Sequence, residues 1–148
     1  MRRRDFAVGL ASLATFGRAY AQQSAKLYRI AIVDPGAPVD KMQEFAGADW
    51  PYFSSLFKEL RSVGYFEGQN LVVERLSGGG QTEDFSEMAR RAVQWMPDVI
   101  LVGSTRVVLS LKAATSTIPI VGVTSDPVAA GIVSNLARPG GNIRGQRR

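Results

Sequence analysis

Residues 97–123 read PDVILVGSTRVVLSLKAATSTIPIVGV. Val99–Val102 is short and wholly apolar, as expected of a strand buried on both faces. Gly103-Ser104-Thr105 then opens a stretch in which Val107, Val108, Leu111 and Ala114 share one face at helical spacing. Ile118–Val123 is apolar again and too short for a helix of its own. Strand, helix and strand joined by tight turns form a parallel pair with a right-handed crossover.

The same alternation extends outward in both directions. Upstream, Leu27–Val33 (LYRIAIV) predicts a strand, followed by a loop holding Asp34, Pro35, Gly36 and Pro38. Pro51 suits the first turn of a helix whose face carries Phe53, Leu56, Phe57, Leu60 and Val63, with Gly64 as its stop. Asn70–Leu76 (NLVVERL) predicts the next strand and Gly78-Gly79-Gly80 a turn. Thr82 can cap a second helix, with Glu83 and Asp84 facing the positive end of its dipole. Its stripe is Phe85, Met88, Ala89, Ala92, Val93 and Met96, ended by Pro97. Downstream, Asp126 as N-cap and Pro127 at the first helical position predict a helix through Leu136, and a fifth strand begins near Asn142. The expectation is an α/β fold: a doubly wound, mostly parallel, Rossmann-like sheet. A ligand on such a sheet lies at the carboxyl ends of the strands, where strand order reverses. The loops 34–36, 103–105 and 124–126 lie there.

At 148 residues the chain holds one ordinary domain with a core. Hydrophobic residues at 45% and charged residues at 21% are globular values, which argues against disorder. The net charge of +5 falls to +2 once Arg2, Arg3, Arg4, Arg18 and Asp5 are set aside, and Arg144, Arg147 and Arg148 crowd the C-terminal end. No basic stripe is left to follow a phosphate backbone, so no nucleic-acid partner is expected. With no cysteine and no histidine, disulfides, the usual zinc sites and any Ser-His-Asp or Cys-His set within the chain are excluded. The expected class is a binding protein without a metal or cofactor, and not an enzyme.

The candidate site residues each have a plainer reading. Ser104 and Thr105 offer hydroxyls and helix-terminal N–H groups to a carboxylate, and Ser104 is equally a cap. Asp126 can hold an ammonium group or cap the helix that follows it. Gly78-Gly79-Gly80 matches neither phosphate-loop pattern and reads as a flexible turn. Trp50, Tyr52, Tyr65, Phe66 and Trp95 read as packing.

Met1–Ala21 reads as an export signal. Arg2-Arg3-Arg4 is followed by a short apolar run, Phe6–Phe16, and by Ala19-Tyr20-Ala21 ahead of Gln22. The run is too short to span a membrane as a helix. Arg3-Arg4-Asp5-Phe6 resembles a twin-arginine core, and the general secretory route stays open. The organisation expected is a signal peptide over 1–21 and one lobe over 22–148, acting in the periplasm.

Asp126–Gly145 (DPVAAGIVSNLARPGGNIRG), with Thr117–Val121 before it, resembles a family of ABC-transporter substrate-binding proteins that includes the tryptophan-binding type. Gly64–Asn70 (GYFEGQN) and Pro97–Ile100 support the resemblance, as does the arginine-rich start. It implies a type I periplasmic-binding-protein fold: two lobes that close on a small solute, often an amino acid, and deliver it to a membrane permease. It implies ligand contacts at Gly103, Ser104, Thr105, Ser125 and Asp126, with Asp34 in a more variable loop, and a monomer. Two positions depart from the family pattern. Gly122 replaces a bulky apolar residue, which is expected to loosen the fourth strand. Arg144 replaces a threonine, and the Gln146-Arg147-Arg148 that follows differs from the family's continuation into a second lobe. The expected reading is therefore the first lobe of an interrupted gene product, truncated in its fifth strand. The competing reading is an extracytoplasmic sensory or scaffold module acting through a partner.

The signal reading predicts extracytoplasmic protein beginning at Gln22. N-terminal sequencing that returns Met1, or protein confined to the cytoplasm, contradicts it. Replacing Arg3 and Arg4 with Lys is expected to abolish twin-arginine export and to leave general secretion nearly untouched.

Overall fold

A computed structural model describes residues 26–44, 48–80, 84–124, 126–135, 137 and 140–147. The expected signal segment, Thr82, Glu83, Ser125 and Leu136 lie outside the described residues. The strands are β1 (Tyr28–Asp34), β2 (Leu71–Ser77), β3 (Val99–Val102), β4 (Ile120–Thr124) and β5 (Ile143–Arg147). The helices are α1 (Pro51–Ser62), α2 (Phe85–Gln94) and α3 (Thr105–Ala114), with one 3-10 turn at Val39–Lys41.

All five strands are parallel, in the order β2-β1-β3-β4-β5. The chain steps one way from β1 to β2 and the other way thereafter. Crossovers of one hand then place α1 on one face and α2 with α3 on the other. Along β1 the alternation is plain. Ala31 and Val33 join the core with Ala89, Ala92, Val107, Val108 and Leu111, whereas Ile30 and Ile32 join Phe53, Phe57, Met42 and Leu71. Burying each large apolar side chain contributes about 1.5–3 kcal/mol, so both faces are needed. The doubly wound parallel sheet expected from the alternation is the fold observed, and all five strands form. Arg144 does not disturb the last of them: β5 pairs with β4 through Thr124↔Arg147.

Polar side chains in the turns tie the layers together. The Asn70 Oδ1 accepts from the Phe66 N–H at 2.8 Å, and its Nδ2 donates to the Gly64 carbonyl at 2.8 Å, which closes the turn into β2. The Asn142 Nδ2 donates to the Ile118 and Thr115 carbonyls at 2.6 and 3.2 Å, anchoring the start of β5 beside the α3–β4 loop. On the edge strand β2, the Arg75 guanidinium donates from both terminal nitrogens to the Glu67 carboxylate at 2.7 Å and from Nε to the Met42 carbonyl at 2.6 Å. Helix α1 ends as expected. Gly64 takes φ +90°, the Tyr65 N–H reaches the Leu60 carbonyl and the Gly64 N–H reaches the Arg61 carbonyl, the paired bonds of a left-handed stop.

Four expectations are corrected. Val63 is 67% exposed, because it caps α1 instead of continuing its face. Met96 is 73% exposed with φ +53°, since the helical conformation is disfavoured for a residue preceding proline. The segment after Asp126 is a single turn and not a helix. The Ile132 and Val133 N–H groups return to the Pro127 carbonyl, and Gly131 at φ +69° turns the chain so that both apolar residues enter the core. Gly122 does not loosen β4. It pairs with Val102 on one side and Gly145 on the other, and a Cβ there would meet the Val108 Cγ2 at 2.9 Å and the Val102 Cγ1 at 3.7 Å. The missing side chain is what lets α3 approach the sheet.

Gly122→Ala is therefore expected to destabilise the fold by about 1–3 kcal/mol, because Val108 is β-branched and stiff in a helix. Urea unfolding of the single variants and of Gly122→Ala with Val108→Ala measures this. A non-additive recovery in the pair supports the close approach, and an unchanged midpoint in Gly122→Ala contradicts it.

Candidate functional site

Strand order reverses between β1 and β3, so their carboxyl ends open a crevice. Asp34 ends β1, and Gly103 follows β3. A groove of about 310 Å³ runs from these two residues between Phe53 and Leu56 of α1 on one side and Leu101 and Val121 of the sheet on the other. Its wall is apolar except near Asp34 and Tyr52.

Asp34 is only 9% exposed. Its Oδ1 accepts from the Gly36 and Ala37 N–H groups at 2.8 and 2.9 Å, which folds the Asp-Pro-Gly loop back over the strand end. Its Oδ2 accepts from the Tyr52 hydroxyl at 2.6 Å. Across the crevice, a Cβ on residue 103 would lie 2.9 Å from that same Oδ2, so glycine is what lets the carboxylate sit there.

Ser104 and Thr105 come next in the chain. Ser104 takes the N-cap position of α3 with extended backbone, yet its hydroxyl makes no capping hydrogen bond. The first-turn N–H groups have no partner within the helix. A negative carboxylate and the positive end of a helix dipole thus flank Gly103. Asp126 is engaged locally: its Oδ1 accepts from the Val128 and Ala129 N–H groups at 3.1 and 3.0 Å. It caps a turn, where a helix was expected. Ser125 lies outside the described residues.

Two residues of this region were missed by sequence reasoning. Tyr52 was assigned to packing, although its place directly after Pro51 puts it in the first turn of the helix that returns over β1. Thr124, at the end of β4, is 4% exposed, and its Oγ1 has no hydrogen-bond partner among the described residues. Nothing in the pattern IVGVT distinguishes that hydroxyl from a β-branched filler. Among the described residues no cluster of acidic groups is suited to a metal, and no helix is long and apolar enough to cross a membrane.

Comparison with known proteins bears on the family and the fold. The chain is 33% identical over 89 residues to a tyrosine-binding protein of Clostridioides difficile, a match covering 60% of this chain and 26% of that protein. A crystal structure of a conserved domain protein from Vibrio cholerae superposes with TM-score 0.67 and 30% identity, over 81% of this chain and 38% of that one. Two further structures share the fold. A ligand-free, open substrate binding protein with adhesive properties from Clostridium difficile has TM-score 0.68 and 24% identity, over 82% of this chain and 39% of that one. An ABC domain in complex with L-Trp from Streptococcus pneumonia has TM-score 0.65 and 20% identity, over 81% of this chain and 38% of that one. The chain thus spans about a quarter of the curated relative and about two fifths of the solved structures. The sequence profile of the ABC transporter substrate binding proteins matches residues 52–147, running three residues past Arg144. With well over half of its length matched, the chain belongs to the ABC transporter substrate binding protein family.

Proposed function

We propose that the chain is the first lobe of an exported receptor that captures a small solute, an amino acid or similar carboxylate, and delivers it to an ABC permease. Proteins of this family bind small molecules for such permeases and are typically extracytoplasmic and non-enzymatic. The export reading of Met1–Ala21 accords with that setting. The tyrosine-binding relative and the L-Trp complex favour an amino acid as ligand.

The observation that carries the reading is the pairing of opposite polarities at the strand-order reversal. The buried Asp34 carboxylate abuts Gly103, and the N-terminus of α3 begins at the next residue with a Ser104 hydroxyl that caps nothing. A zwitterion has the same two poles. In this reading Ser104, Thr105 and the α3 N–H groups take the carboxylate, while Asp34 faces the ammonium group. Asp126, just past the next strand end, is its turn's cap, and Ser125 keeps its expected role as a ligand contact.

One lobe leaves a bound solute half in water, whereas small-ligand sites bury most of the ligand surface. Losing ~4 kcal/mol of closure contacts weakens binding about a thousandfold. Calorimetry of residues 22–148 against amino acids and simple carboxylates is expected to show millimolar affinity or none. A two-lobe version completed with a relative's remaining sequence is expected to bind far more tightly and to be weakened by Ser104→Ala with Thr105→Ala. Micromolar binding by the short chain contradicts the half-cleft argument, and an unaffected double variant removes Ser104 and Thr105 from the site.

A further inference from the structure

The two faces of the sheet are unequally covered. Five strands set side by side are about 20 Å wide and a helix is about 10 Å across, so each face takes two helices. One face has α2 and α3, whose Met88, Ala92, Val108 and Leu111 complete its core. The other has α1, seated over β1 and β2 through Phe53 and Phe57. Beside α1, over β3 and β4, no helix lies among the described residues. Leu101, Val121 and Val123 therefore form an open slot along the flank of α1, continuous with the apolar wall of the groove at Leu56. Val123 is 36% exposed there. A contiguous apolar patch on a folded chain marks a place of contact.

The chain itself holds one segment able to fill the slot. Outside the described residues the longest stretch is 1–25, and every other is three residues or fewer. Its apolar part is Phe6–Phe16. We propose that, while this run remains on the chain, it lies as a helix in the slot and completes the layer that α1 begins. The lengths agree: residues 6–16 as a helix span about 16 Å, and a strand the length of β4 spans about 17 Å. Phe6, Leu10 and Leu13 share one face at helical spacing, and the alanines between them permit close approach to α1. The tether reaches. The segment joins β1 at its amino end, two strand spacings or about 10 Å from β4, and residues 17–25 extend up to about 30 Å. So short a link holds the run at millimolar local concentration. Charge sets the direction. With Phe16 at the amino ends of the strands and Phe6 at the carboxyl ends, Arg2-Arg3-Arg4 comes to two exposed carboxylates at the far end of the slot, Asp49 ahead of α1 and Asp126 after β4. The opposite direction brings those arginines to the exposed Arg144. A second copy fits the slot less well, because the outward side of α1 carries Ser55, Lys58 and Ser62, all exposed. The segment read as an export signal thus doubles as a cover, and its removal bares the slot. This goes beyond the solute-binding reading and does not depend on it.

The chain has no cysteine, so a single introduced thiol reports on the slot. The test measures the rate at which N-ethylmaleimide modifies the full-length, uncleaved chain carrying Val123→Cys, with and without Leu10→Glu and Leu13→Glu. Leu109→Cys, exposed on α3 at the other face of the sheet, is the control. With the native run, Val123→Cys is expected to react at least about tenfold more slowly than with the two glutamates. That protection is expected at every protein concentration, with Leu109→Cys reacting alike in both backgrounds. Equal rates for Val123→Cys in the two backgrounds overturn the proposal. Protection that rises with protein concentration assigns the slot to a second copy and overturns it too. If Val123→Cys fails to fold, the fluorescence of anilinonaphthalene sulfonate with chains unaltered in the lobe makes the decision. Leu10→Glu with Leu13→Glu is expected to brighten the dye, because the slot is bared. A dimmer or unchanged dye shows that the run was never in the slot, and overturns the proposal.

Discussion

The interior strand β1 is buried on both faces, and most of the architecture follows from that constraint. Ala31 and Val33 are apolar toward one layer, Ile30 and Ile32 toward the other, and all four are almost wholly covered. A strand with two apolar faces is stable only between helices on both sides. Because crossovers have one hand, covering both faces requires the chain to leave β1 in one direction and later return past it. That return sends the connections leaving β1 and β3 to opposite faces of the sheet, and their divergence opens the crevice at which Asp34 and Gly103 meet.

The residues that carry the family resemblance serve this frame more than they serve the site. Asn70 in the Gly64–Asn70 turn and Asn142 in the Arg-Pro-Gly-Gly-Asn run each satisfy backbone groups that neither helix nor sheet can pair. Gly64 and Gly131 adopt left-handed backbone where the chain must stop and turn. Buried or bent backbone leaves donors and acceptors to be accounted for, and short amides and glycines are the residues able to do it. Such motifs therefore report the fold. They leave the ligand to be argued from the strand ends.

At those ends the chemistry depends on what each polar group has already spent locally. Asp126 and Asp34 look alike in sequence, each an aspartate followed by proline at a loop start. Asp126 is exposed, and its Oδ1 caps its own turn by accepting from two neighbouring N–H groups. Asp34 is buried and lines the groove, and both of its oxygens accept hydrogen bonds, one of them from a side chain on α1. The Ser104 hydroxyl, which the local pattern assigns equally to a cap, makes no capping bond.

The alternation of apolar strands with helical stripes was enough to determine the α/β class, the parallel sheet and all five strands to within two residues at their starts. Those features depend on periodicity and on turn chemistry, which are local. The stop at Gly64 was legible for the same reason, whereas the cap of α2 is Asp84, whose carboxylate accepts from the Glu87 N–H, where Thr82 was expected. Tertiary structure alone decided the rest. The apolar run after Pro127 has helical composition, yet Ile132 and Val133 gain more from the core than from a longer helix. Gly122 reads as a weakness until Val108 is seen to need its space. Tyr52 reads as one more aromatic until the return of α1 brings its hydroxyl to Asp34, eighteen residues away in the chain. A contact between distant elements leaves no period in the sequence, so only the folded chain could reveal that Asp34 is buried and which groups hold it.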